Sequence, residues 1–127
     1  MQSDLQVAAV GWLAQHMLFA RLANAWPDRV RTLNSETLLE NPLLSLAALD
    51  RLFRVDDSNA NRERVVATIF NRHAKFGETF TASDRKRDQR ATADTHGEEI
   101  AMVASWATKV AEGAGVAMEL PNALLTS

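Results

Sequence analysis

Cysteine is absent from the 127 residues. That excludes disulfides, thiolate metal sites and cysteine nucleophiles, and it suits a reducing compartment. Tyrosine is also absent, and β-branched runs are few. No alternating pattern is long enough to demand a sheet, and no internal repeat is present. Long hydrophobic runs are missing as well. The apolar stretch from Val7 to Ala14 falls far short of the roughly 20 residues that a membrane span needs. No basic region precedes it, and Gln15, His16, Arg21 and Asn24 break up the residues after it. A secretory signal is therefore not expected, and the expected location is cytoplasmic with no membrane partner.

The chain is instead rich in Ala, Leu, Arg and Glu, a composition that favours helix. Its length fits one domain able to bury a core of its own. The expectation is an all-α fold, a small helical bundle of about five helices, forming a single domain over residues 1–127. The net charge of −2 conceals an uneven distribution. Arg51 to Arg90 holds 10 Arg and Lys against 6 Asp and Glu, whereas both flanks are acidic.

The first helix is expected over Leu5–Trp26. Apolar residues surround it on nearly every side and Arg21 is its only charge, so it should be covered all round by other helices or by a partner. Pro27 ends it. Ser35 to Glu40 reads as a short helical turn. Asn41-Pro42 reads as N-cap and first residue of a helix that buries Leu43, Leu46, Leu49 and Phe53. After the polar loop Asp56–Asn61, a helix from about Asn61 to Phe76 should bury Val65, Val66, Ile69, Phe70 and Phe76 and stop at Gly77. Residues 78–95 contain almost nothing to bury after Phe80, so a mobile, partly helical segment is expected there. Thr95 and Glu98 form a capping-box pattern for a last helix carrying Ile100, Val103, Ala107, Val110 and Ala111, closed by Gly113 and Gly115.

The basic block is the strongest functional signal. Arg62, Arg64, Arg72 and Lys75 share the outward side of one expected helix, and Arg85, Lys86, Arg87 and Arg90 come next in the polar strip. Lys and Arg neutralise phosphates and release counterions, and arginine can fork onto phosphate oxygens. No aromatic interleaves the polar strip of Arg85, Lys86, Arg87 and Arg90, so contact with nucleic-acid backbone, independent of sequence, is expected rather than base stacking. Asp84 and Asp88 could instead pair with these cations within an ordinary solvated face.

Arg72-His73-Ala74-Lys75-Phe76-Gly77 resembles in part the motif of histidine phosphotransfer domains, small helical bundles with an exposed histidine followed by lysine and glycine at the third and fourth positions. Glycine matches here. Lysine stands at the second position and Phe76 at the third, which turns the lysine about 100° away from its place in the motif. The resemblance implies a signalling role for His73; a histidine at a helix end is the plainer reading. Asp57, Asn59 and Asn61 alternate like the start of a calcium loop, but Arg62 stands where glycine is needed and Thr68 where the bidentate acid is needed, so they are expected to be caps.

His16, His73 and His96 show no ligand spacing. Glu98 and Glu99 read as acids at a helix start. Trp12, Trp26 and Trp106 serve as core or interface anchors. No metal, cofactor or enzyme activity is expected. The expected function is that of a non-catalytic small helical subunit of a nucleoprotein complex, touching nucleic-acid backbone through the basic surface and protein through its flanks, by contact with other subunits or by self-association. In size and general character the chain is similar to small helical subunits of RNA-guided bacterial defence complexes, with no motif in common. The alternatives are the phosphotransfer module and a purely protein-binding adaptor.

Overall fold

The computed structural model describes residues 3–72 and 77–126. Among these residues the fold is all-α, with five helices and no strand: α1 (Asp4–Ala25), α2 (Ser35–Glu40), α3 (Pro42–Phe53), α4 (Asn59–Thr68) and α5 (Ala82–Ala114). No helix is long and apolar enough to cross a membrane among the described residues. By its contacts the chain divides into two compact units, Met1–Thr32 with Arg90–Asn122, and Leu33–Gln89 with Ala123–Ser127. Helix α5 contributes its first turns to the second unit and the rest to the first.

In the first unit, a capping box starts α1. Gln6 N donates to Ser3 Oγ at 3.3 Å and Ser3 N donates to Gln6 Oε1 at 3.0 Å, so two backbone donors left over at the helix start are satisfied reciprocally. The helix ends at Ala25, ahead of Pro27, as the restriction before proline requires. The core of this unit is small. Leu13 packs with Ala107 and Ala111, flanked by Ala9, Trp106 and Val116. These α5 positions form part of the stripe legible in the sequence, and their alanines leave room for a leucine to enter. Val110 from the same stripe stands exposed.

The C-terminal segment is tied down by one residue. Asn122 sits at φ 62°, a left-handed conformation that asparagine tolerates better than most side chains. Its Nδ2 donates to the carbonyls of Pro27, at 2.8 Å, and Val30, and its Oδ1 accepts from Arg31. Thr32 completes the clasp: its N donates to Asn122 O at 3.0 Å and its Oγ1 to Pro121 O at 2.7 Å.

Helix α1 departs from expectation in one respect. Its buried residues are Leu13, His16 and Ala23, all on one side. The opposite side, with Val7, Val10 and Leu18, is exposed, and Trp12 and Phe19, beside the buried residues in rotation, are about half exposed. The small alanine surface of α5 covers one stripe and no more.

In the second unit, α3 starts at Pro42 as the sequence indicates, although Asn41 makes no side-chain cap bond. Asn41 N instead closes α2 by donating to Thr37 O at 3.0 Å. Helix α3 buries Ser45 and Ala48, whereas Leu43 and Phe53 stand exposed, contrary to the expected stripe. Helix α3 neighbours both α2 and α4, and small side chains let helix axes approach closely.

Helix α4 is shorter than expected. Ser58 rather than Asn61 is its N-cap, with Asn61 N donating to Ser58 Oγ at 3.1 Å, and the helix ends at Thr68. Ile69, expected in the core, is exposed. Asn71 O accepts from Phe80 N at 2.8 Å, and Arg72 and Thr79 form an isolated antiparallel bridge. Gly77, at φ 67°, lies within that corner rather than at the end of α4. The expectations for His73, Lys75 and Phe76 lie outside the described residues.

The largest departure concerns residues 78–95. From Ala82 onward they are helical, and α5 continues without interruption to Ala114. Thr95 is not a cap; its Oγ1 donates to Ala91 O at 2.9 Å inside the helix. Glu98 and Glu99 are accordingly mid-helix residues. The working cap lies at Thr81, whose Oγ1 accepts from Asp84 N at 3.3 Å, while the Asp84 carboxylate accepts from Thr81 N and Oγ1, both at 2.7 Å. A capping box needs its partner three residues on, and aspartate serves here in the place usually held by glutamate or glutamine.

Candidate nucleic-acid interface

The eight cations expected to meet a phosphate backbone have three different fates. Two are committed to the scaffold. Arg62 Nε donates to Asp50 Oδ2 at 2.6 Å, pairing α4 with α3, and its Nη2 donates to Asp57 O at 2.7 Å. Both side chains of this pair are less than one-fifth exposed. Arg85 Nη1 donates to Phe70 O at 3.0 Å, fixing the first turn of α5 to the segment after α4. Neither guanidinium can reach a ligand without giving up a bond that holds helices together. Arg62 therefore moves from the outward basic face, where its position in sequence placed it, into the scaffold.

Five cations stand at the surface. Arg64 donates to Asn61 Oδ1 within its own helix and stays exposed. Arg72, Lys86 and Arg90 are exposed and form no salt bridge or side-chain hydrogen bond among the described residues. Arg87 donates to Asp84 at the helix start but remains 73 % exposed. Lys86 and Arg90 are four residues apart on α5, which sets them on one side of the helix, with Arg87 next to them in rotation. Helicity from Ala82 gives this strip a fixed direction. The eighth, Lys75, lies outside the described residues.

The proton affinity of Asp84 is lowered. Hydrogen bonds from the Thr81 hydroxyl and backbone N–H, with a smaller contribution from Arg87, hold its carboxyl below the ordinary aspartate range. Asp84 thus sits inside the basic strip but is occupied by the cap, while Asp88 forms no ion pair among the described residues.

The calcium-like triplet is accounted for by bonds within the loop. Asn61 Nδ2 donates to both carboxylate oxygens of Asp57, at 2.9 and 2.8 Å, and Asn59 Nδ2 donates to Glu63 Oε1 at 2.7 Å. Among the described residues no group of three His, Asp or Glu is placed to hold a metal. His16 is buried against the face of Trp12, with ring centroids 4.4 Å apart. His96 is exposed on α5.

The sequence missed the partners rather than the cations. Asp84 and Arg87 are three residues apart and could be paired from spacing alone, whereas Asp50 and the Phe70 carbonyl are brought to Arg62 and Arg85 only by the fold. Comparison of the chain with protein-family models, curated proteins and solved structures finds no match.

Proposed function

We propose that the protein is a non-catalytic helical subunit that holds nucleic-acid backbone, without reading bases, through Arg64, Arg72, Lys86, Arg87 and Arg90. The observation that carries this reading is the helical ordering of 82–95, which presents Lys86 and Arg90 on one side with no partner among the described residues and Arg87 beside them. A cation withdrawn from solvent in a carboxylate pair, as Arg62 is, gains little from phosphate, while an exposed one releases condensed counterions when it meets a phosphate. Arg62 and Arg85 serve this surface by holding its helices in place. The absence of aromatic residues from 81–95, the stretch that carries Lys86, Arg87 and Arg90, supports backbone contact over stacking. Contact with protein belongs to the other parts of the chain, where apolar side chains are exposed on α1.

The test is a salt titration of binding to single- and double-stranded nucleic acid. Five phosphate contacts give a log–log slope of about −4.5 on duplex DNA, and K86E/R87E/R90E should remove more than half of it. Sequence of the nucleic acid should not matter. Absence of binding by the wild-type chain at low salt, or a slope unaffected by the triple substitution, rejects the proposal.

A further inference from the structure

We infer that the uncovered face of α1 is a self-association surface, on which a second copy of the chain packs its own α1 in the antiparallel direction. This does not depend on the nucleic-acid reading, since α1 carries none of those cations. The first unit covers one side of α1 through Leu13, His16 and Ala23 and leaves Val7, Val10 and Leu18, on the opposite side, between 44 % and 56 % exposed.

The choice of a second copy rests on shape and charge. Along the middle of the exposed face run Val7, Gly11, Ala14 and Leu18, spaced by four, three and four residues, the pattern of a helix–helix seam. Gly11 has nothing within 4 Å of where a Cβ would stand, so the notch at its position opens outward. A two-fold axis through the point between Ala14 and Gln15 sets Leu18 of each copy opposite Gly11 of the other. Large then meets small twice, as interdigitated packing requires. The same axis holds the two Arg21 side chains about 20 Å apart along the helices, each level with the turn that follows the partner copy's Asp4, of opposite charge. Parallel pairing would set leucine on leucine, glycine on glycine and arginine beside arginine.

The experiment is analytical ultracentrifugation of the full chain over roughly 1 to 200 μM, with helix content followed in parallel. Dimer formation is expected. Gly11→Leu fills the notch in a position that is open in the single copy, and should weaken the dimer at least tenfold while helix content is kept or raised. Leu18→Glu should do the same by bringing charge into the seam. Direction is read by oxidation of single-cysteine variants, which the cysteine-free chain makes unambiguous. Ala14→Cys, next to the axis, should cross-link, and Ala25→Cys, on the order of 30 Å from its counterpart, should not. A wild-type chain that stays monomeric at every concentration overturns the inference and leaves the face to another part of the chain or to a different protein. Cross-linking at Ala25→Cys, or a dimer indifferent to both Gly11→Leu and Leu18→Glu, overturns it as well.

Discussion

Arg62 on α4 and Asp50 on α3 are joined by an Nε–Oδ2 bond of 2.6 Å, and the same guanidinium holds the Asp57 carbonyl. The pair is mostly withdrawn from solvent, where a hydrogen bond to a charged group contributes more than an exposed one. Arg62→Ala should lower the unfolding free energy by about 2 kcal/mol. It should also leave the salt slope of nucleic-acid binding unchanged below the melting temperature. Denaturant unfolding and the salt titration, done on one preparation, check both halves, and an unaltered stability would show that the bond is not maintained.

Arg72 offers the reverse expectation. Its side chain is exposed and makes no side-chain bond among the described residues, so Arg72→Ala should leave stability within about 0.5 kcal/mol of wild type. It should reduce the magnitude of the log–log salt slope by about one.

The first turn of α5 should be acid-sensitive. Asp84 has a depressed folded-state pKa because its carboxylate accepts from Thr81 and lies beside Arg87. A depressed carboxylate stabilises the folded state above its unfolded pKa and loses that contribution as pH falls through the folded value. Nuclear magnetic resonance of the 81–87 amides should show fraying below the ordinary aspartate range. Asp84→Asn, which cannot titrate, should fray at neutral pH and lose the pH dependence.

Asn122 closes the first unit by holding the carbonyls of Pro27 and Val30 from a left-handed backbone. Asn122→Ala removes those bonds and places an ordinary residue at positive φ, at an expected loss of about 1 to 3 kcal/mol. Asn122→Gly removes the bonds alone and should be the milder of the two. The order of their thermal midpoints is the readout, and a reversed order would mean that the left-handed backbone adds no cost for alanine.

Gly97 lies inside α5 with nothing within 4 Å of its missing Cβ and no positive φ. Gly97→Ala should therefore raise stability by about 0.5 to 1 kcal/mol. Denaturant unfolding of the substituted and wild-type chains checks this.

Much of the fold was legible in the sequence because the punctuation is local. Pro27 and the Asn41-Pro42 step each act on their neighbours, and the end of α1 and the start of α3 fall where they dictate. The Leu13-facing stripe of α5 was visible as periodicity. Less legible is where one helix pattern yields to another. Thr95 and Glu98 have capping-box spacing, yet Thr81 and Asp84 have it too, and the earlier pair begins the helix. The polar run between them folds as helix although it has almost nothing to bury, because the helix on its C-terminal side, packed on Leu13, propagates back to the Thr81 cap. On the functional side the eight cations were visible, but their availability was not. A carboxylate twelve residues away decides the fate of Arg62, and a main-chain oxygen fifteen away decides that of Arg85.

All three tryptophans, Trp12, Trp26 and Trp106, fall in the unit formed by residues up to Thr32 and from Arg90 to Asn122, and the chain has no tyrosine. Intrinsic tryptophan emission is therefore a reporter of that unit alone, while circular dichroism sums both. Heating the wild-type chain and recording the two signals together distinguishes one cooperative transition from two.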